Sequence, residues 1–468
     1  MELNPNTKQA YWLFHAGTLA LWRAENQGMC VDVPYLENTI ESITNKILKL
    51  EQKFRDSSFH KEWKRATANR NPNIYSGDQL GKFLYNIKKI VPPGHTASGK
   101  GSTDEDALTK LNIPELGILI KIKKLKKIRD TYLQGYLREQ VDGVIHPFFN
   151  LNLARTYRSS SDRPNLQNVP ARDKEAMTIC RKAFIPRPGH QFFEVDFSGI
   201  EVRIAACYHK DPTMLKYIKD PSSDMHLDMA KQIFLLDNAD KSLPEVKLLR
   251  SATKNGFVFP QFYGDYYKNC AEGLAVKWGK LPQGRWKAGQ GIPMSEGFLS
   301  DHLIKKKITS LTSFTEHLRV IEDDFWKNRF PVYSRWKEKW WRGYQKRGYI
   351  DMLTGFRCSG IMGKNDCINY PVQGAAFHCL LWCFIELDRI MREENWETRL
   401  IEETHDSILF DVYPPELDHV AAVVKRVTCK DLPKAFPWIN VPLEVEAKLG
   451  GVDKSWASLN LYELLLPF

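Results

Sequence analysis

Two aspartates constrain this chain more than any other feature. Asp196 ends the apolar run Phe192-Phe193-Glu194-Val195, and Asp406 stands just before Ser407-Ile408-Leu409-Phe410. Both contexts read as short strands. The acids lie 210 residues apart, so they meet only if the fold lays two distant strands side by side. Carboxylates brought together in that way suit a pair of divalent cations about 3.5–4 Å apart, the arrangement used for in-line displacement at phosphorus.

Such a reaction also needs cations for the leaving group, and the chain supplies a pair between the acids. Arg250 and Lys254 are four residues apart, which puts both on one face of a helix. A guanidinium and an ammonium so arranged can neutralise a triphosphate tail. Phe257, Phe259, Phe262 and Tyr263 follow directly. Aromatic rings there are placed to stack on a base whose phosphates are held a turn or two earlier.

At 468 residues the chain is too long for one core and implies two or three subdomains. A net charge of +11 suits a polyanionic partner without naming one. The nine cysteines include no C-x-x-C pair, which argues against structural zinc and against a disulfide framework. A reducing, cytoplasmic setting is expected (the host cytoplasm for a viral protein). Met1-Glu2-Leu3-Asn4-Pro5 does not open a signal peptide. No apolar run approaches the roughly 18–20 residues that span a bilayer, so no membrane partner is expected.

Periodicity predicts helices over 35–54, 114–140, 200–208, about 243–267 and through 301–348, with a buried helix over 371–396. Residues 279–297 read as loop. Strands over 399–404 and 408–412 form a hairpin with Asp406 at its tip. The segment 114–140 carries an apolar stripe of Ile118, Ile122, Leu125 and Ile128 opposite a run of Lys and Arg. Such a run is ordinarily a solvated face. The functional alternative is a row of phosphate contacts, with Lys124 and Lys127 as candidates.

Two motifs are decoys. Residues 94–101 nearly spell a phosphate-binding P-loop. However, Gly101 follows Lys100 where Ser or Thr is needed, and Val91-Pro92-Pro93 replaces the preceding strand. Asp104-Glu105-Asp106 lies in a polar loop with no strand to fix it and reads as a solvated helix start.

Taken together, the motifs resemble those of the family A DNA polymerases, which are similar to bacterial DNA polymerase I. Residues 158–170 look like the family's thumb-to-palm strip along the primer–template minor groove. Asp196-Phe197-Ser198-Gly199-Ile200-Glu201 looks like motif A, residues 250–264 like motif B, and His405-Asp406-Ser407 like motif C. Asn369-Tyr370-Pro371-Val372-Gln373-Gly374 resembles the palm segment near the primer end. The blocks occur in order and cover nearly the whole chain.

The resemblance implies an α+β right hand with a thumb, an antiparallel-sheet palm and helical fingers. Residues 1–34 would be the remnant of an exonuclease-side linker and 35–160 the thumb. The palm would comprise 161–236 and 350–468, and the fingers 237–349. The implied activity is template-directed DNA synthesis: a dNMP is added to a primer 3′-OH and pyrophosphate is released. The implied partners are primer–template DNA and dNTPs. The implied cofactors are two Mg²⁺ ions, for which Mn²⁺ could substitute, held by Asp196, Asp406 and the carbonyl of Phe197.

The same resemblance assigns further roles. Glu201 would be the steric gate against a ribose 2′-OH, with Tyr263 packed beside it. Arg250, Lys254 and His226 would approach the phosphates, Lys254 also stabilising or protonating pyrophosphate. Arg158, Asn369, Gln373 and His405 would read the primer end through its minor groove. Asn165, Gln167 and Asn168 would belong to the DNA-facing strip.

Two departures from the family pattern stand out. Lys254 and Tyr263 are nine apart rather than eight, and Pro260 falls between them. An extra residue and a proline predict a helix distorted by a π-bulge over about 255–261. Either Phe257 or Phe259 then stacks on the incoming base; Phe259, four before Tyr263, is preferred. Some phage polymerases carry a similar string, which fits a viral origin. Motif C also has Ser407 where Glu is common, at the cost of one outer carboxylate.

The sequence leaves no room for a 3′–5′ proofreading domain or a 5′ nuclease. It is therefore expected to be a polymerase fragment, or to work beside a separate exonuclease or replication accessory proteins. The rival readings are a single-subunit RNA polymerase, which shares both aspartates but needs an open sugar gate, and an inactive DNA-binding replication scaffold, which needs no paired acids.

Overall fold

The computed structural model describes residues 5–67, 71–96, 98–171, 173–237, 239–277, 292–294 and 297–464. Most of the stretch 279–297, expected to be loop, lies outside the described residues.

Five antiparallel strands form the central sheet, in the order Asn460–Tyr462, Val445–Leu449, Gln191–Phe197, Ser407–Val412 and Arg399–Thr404. The middle strand is apolar on both faces because both are covered. Phe193, Val195 and Phe197 face one side, where they pack with Ile408, Phe410 and Leu400 against the long helix Lys364–Glu393 and the first helix, Pro5–Gln27. Phe192, Leu409, Ile401 and Trp456 face the other and join the core of the N-terminal helices.

That N-terminal core is built from the helix Val33–Asp56 packed on Pro114–Lys126. The second helix continues through a π turn, Lys127–Leu133, into Gln134–Glu139, so the single helix expected over 114–140 is bulged. Its buried register is Leu116, Leu119, Ile122, Leu125 and Ile128. Ile118, expected in the stripe, lies half-buried at its edge.

A third core runs from Ala206 to Tyr333. The helical patterns expected through 301–348 form Leu299–Lys305, Leu311–Asp324 and Pro331–Arg347, the second running on into a π turn over Phe325–Arg329. The breaks have local causes. Ser310 caps the second helix, its hydroxyl accepting from Ser313 N at 3.1 Å, and Pro331 starts the third.

The palm helix begins at Lys364 rather than 371 and takes Pro371 into its interior. A proline there ordinarily breaks a helix, because the carbonyl four residues earlier loses its donor. In this chain Trp340 Nε1 donates to that carbonyl, Cys367 O, at 3.0 Å. The helix Pro331–Arg347 thus replaces the hydrogen bond that the proline removes.

The strand Arg399–Thr404 carries two buried acids, Glu402 and Glu403. Among the described residues neither carboxylate oxygen of Glu402 has a hydrogen-bond partner, and burial, then the charge of Glu403, pushes its pKa well above the ordinary range. Its folded pKa exceeds its unfolded one, so its stability contribution is full below about pH 4.3 and declines as pH rises toward the folded value. Glu402→Gln is therefore expected to stabilise the protein increasingly as pH rises above the ordinary carboxylate range, about pH 4.3. The limiting slope is about 1.4 kcal/mol per pH unit, measured by urea unfolding. A pH-independent difference would show that the carboxyl is charged in the fold.

Candidate active site

Asp196 sits one residue before the end of the central strand, directly across from Ser407. Phe197 N donates to Asp406 O at 2.9 Å. Asp196 on its strand and Asp406 in the hairpin turn just before the neighbouring strand are thus brought side by side. The turn carrying Asp406 is tight: His405 has φ +57°, and Asp406 N donates to Thr404 O at 2.6 Å.

Asp406 opens onto the cleft, whereas Asp196 is half-buried and its Oδ1 has no hydrogen-bond partner among the described residues. Burial, and then the charge of Asp406, pushes Asp196 up to about 7. Asp406 is raised too, by desolvation and then by Glu201. Paired acids with an unpartnered buried oxygen are a donor set that a divalent cation satisfies.

Gly199 turns the chain out of the strand with φ +62° and starts the helix Ile200–His209. Arg203 locks this corner. Its guanidinium donates to Ser198 O at 2.9 Å and Glu444 Oε2 at 2.6 Å, and also to Pro442 O. The corner aims Glu201 into the cleft. There its carboxylate accepts from Arg158 Nη2 on one oxygen and Tyr263 OH on the other. Arg158 Nε also donates to Gln373 O at 3.3 Å, and Asn369 Nδ2 to Tyr263 O at 3.2 Å. The strip reaches the palm helix closely because Gly374 lacks a side chain: a Cβ there would lie 2.4 Å from Thr156 O.

The expected distortion of the motif B-like helix is present. Pro244–Thr253 passes through a π turn, Lys254–Val258, into Phe259–Phe262. The helix expected to about 267 ends at Phe262, and a new one begins at Tyr267. The two aromatic candidates part company here. Phe257 is fully buried, its ring 5.6 Å from that of Phe325. Phe259 instead lines a cleft together with Glu201, Tyr263, Asn369, Gln373 and Asp406. Lys254 Nζ lies 5.2 Å from the Phe259 ring centre, and the His226 ring meets the same phenyl edge-on at 5.8 Å.

Arg250 is held by an acid that the sequence did not single out. Its Nε donates to Asp224 Oδ2 at 2.8 Å, and Lys241 pairs with the same oxygen at 3.0 Å. Burial opposes the charge on Asp224, but these cations outweigh it and hold the carboxyl at about 2. His226, two residues on, is depressed to about 4 by burial and then by Arg250 and Lys254.

The remaining candidates are placed less uniformly. Asn165 and Asn168 are exposed, the side chain of the first accepting from the backbone of the second at 3.1 Å. Gln167 is buried, and its amide is committed to Ser159 and Glu403. His405 is half-buried and lowered to about 4 by burial and then by Arg158. Lys124 pairs with Asp173 at 2.5 Å and Glu175 at 3.7 Å. Lys127 lines a separate cavity at the base of the N-terminal helices.

A five-stranded antiparallel palm with paired acids, flanked by a cation-bearing helix, is the right-hand architecture of nucleic-acid polymerases. The model of DNA polymerase family A matches residues 35–280 and 324–458, and the chain belongs to that family. It is 28% identical to DNA polymerase I of Caldicellulosiruptor bescii over 450 residues, which is 95% of this chain and 46% of the relative. With the thermostable DNA polymerase I of Thermus filiformis it shares 27% over 471 residues, 96% of this chain and 49% of the relative. The chain thus spans about half the length of these curated relatives. Among solved structures, it matches the POL domain of Pol1 from M. smegmatis, in complex with DNA primer-template and dNTP. The TM-score is 0.74 at 24% identity, covering 95% of this chain and 70% of the other. No helix among the described residues is long and apolar enough to cross a membrane.

Proposed function

We propose that the chain is a template-directed DNA polymerase that joins a dNTP to a primer 3′-OH and releases pyrophosphate. The observation that carries this reading is the adjoining placement of Asp196 and Asp406 at one end of a cleft lined by Phe259, Tyr263 and Glu201. The two acids and the Phe197 carbonyl are the donors for two Mg²⁺ ions, with Mn²⁺ as a substitute. When bound, such ions lower the pKa of the attacking hydroxyl and screen the leaving oxygens.

The chain's own side chains do the rest. Arg250 and Lys254 meet the triphosphate, and Lys254 supplies a proton or charge to pyrophosphate. Arg250 must leave Asp224 to do so, which couples nucleotide arrival to movement of the fingers helix. His226 lies beside the same phosphates. Glu201, tied to Tyr263, closes the side where a 2′-hydroxyl would sit and favours DNA over RNA synthesis. Arg158, Gln373, Asn369 and His405 border the primer end. Asn165 and Asn168 face DNA on the strip, with Gln167 behind them, and Lys127 and Lys124 approach the backbone further along.

In this reading 35–160 is the thumb, 161–236 and 350–468 the palm, 237–349 the fingers, and 1–34 the lead-in segment. Nine free cysteines support work in the cytoplasm.

Primer extension with Mg²⁺, offering dNTPs or rNTPs on DNA and RNA templates, tests the assignment; no dNTP incorporation on primed DNA overturns it. Phe259→Ala is expected to raise the KM for dNTP about 5- to 150-fold, the worth of about 1–3 kcal/mol of stacking. Phe257→Ala should instead destabilise the fold by about 3–5 kcal/mol. Steady-state kinetics and thermal melting separate the two, and a KM effect confined to Phe257 would reverse the choice.

A further inference from the structure

Glu403 is fully buried, and every bond its carboxylate makes leads to a residue next to the site. Oε1 accepts from Ser159 Oγ and from Gln167 Nε2, the latter at 2.8 Å. Oε2 accepts from His405 N at 3.1 Å. Gln167 Nε2 also reaches Ser159 Oγ at 2.9 Å, closing a small ring of bonds. Ser159 adjoins Arg158, which holds Glu201. His405 adjoins Asp406, in a turn whose left-handed φ needs support from its surroundings.

We propose that Glu403 is a positioning residue that fixes, through one buried carboxylate, both the strip bearing Arg158 and the turn bearing Asp406. The two segments are more than 240 residues apart in sequence, and the carboxylate sets their spacing and hence the distance between primer end and metal-binding acids. A buried acceptor with three donors is rigid, because each donor would be left unsatisfied if it moved away. Glu402 provides an internal contrast. It is equally buried on the same strand, but among the described residues neither of its oxygens has a hydrogen-bond partner. Burial of an acid on this strand therefore does not by itself create the clamp.

The proposal rests on the polymerase reading, and the experiment separates the two. Primer extension is measured for the wild-type chain and for Glu403→Met, Glu403→Gln and Glu402→Met, with primer–template affinity and melting temperature recorded alongside. Glu403→Met should lower kcat about 10- to 100-fold, as a misplacement of about 1 Å does, and weaken binding of the primer–template. The KM for dNTP should stay within about twofold, because Glu403 does not touch the nucleotide cleft. Glu403→Gln, which retains the acceptor facing Ser159 and Gln167, should recover much of the loss, and Glu402→Met should extend primers at the wild-type rate. Should Glu403→Met not fold, Ser159→Ala reads the same link: kcat falls and KM holds. An inert wild-type chain overturns the polymerase reading and this one with it. An active wild type overturns this inference alone if kcat survives loss of the clamp, or if Glu402→Met loses as much as Glu403→Met.

Discussion

Asp406→Ala is expected to bind primer–template within a few-fold of wild type and to extend it at least about 10³–10⁴ times more slowly, a barrier increase of about 4–5.5 kcal/mol. In the proposed reading, binding rests on cations and amides spread over the strip and the N-terminal helices, none of which needs Asp406, and chemistry rests on the acid pair, which the substitution halves. The fold should not suffer. Asp406 opens onto the cleft and makes its backbone bonds, to Phe197 N and Thr404 O, without its side chain. Its removal also relieves the repulsion that raises Asp196. Single-turnover extension, fluorescence anisotropy and melting temperature together test this. A variant that extends primers within tenfold of wild type removes the acid pair from the chemistry.

Glu201→Ala is expected to lower the preference for dNTP over rNTP by about two orders of magnitude, a differential of about 2.7 kcal/mol. The carboxylate is held from both sides, by Arg158 and by Tyr263 OH, so it presents a fixed wall rather than a mobile side chain. Truncation opens the wall and frees Arg158, and primer affinity should fall modestly as well. Tyr263→Phe, which removes one of the two anchors, should give a smaller loss of sugar selection. Competing dNTP and rNTP incorporation on one template provides the measurement. Unchanged discrimination would mean that the sugar is selected elsewhere.

Much of this site was legible in the sequence because its logic is local. Strand alternation around Asp196 and the hairpin around Asp406 are short-range patterns, and their meeting follows from the chemistry that two acids demand. The distorted helix was legible too, because a nine-residue step from Lys254 to Tyr263 with Pro260 inside it cannot be wound as regular α-helix while keeping both on one face. The start of the palm helix was not. Pro371 signals an end or a beginning, and the bond that overrides the signal comes from Trp340, 27 positions away from its acceptor. The partners of Glu403 and of Arg250 escaped for the same reason. Asp224 stood in plain view beside His226, but nothing within one turn says that it faces Arg250. Two adjacent acids in a strand, Glu402 and Glu403, were the one available signal for the buried clamp, since a buried strand has no ordinary place for either.

The Arg250–Asp224 contact also bears on what the idle protein ignores. Only the arginine's Nε is given to Asp224, which leaves the other donors of the guanidinium for a second anion. In the proposed reading, a ligand bearing several linked anionic groups engages Lys254 and the free face of Arg250 together, whereas a single anion must compete with the carboxylate already in place. The resting contact then favours ligands of higher valence.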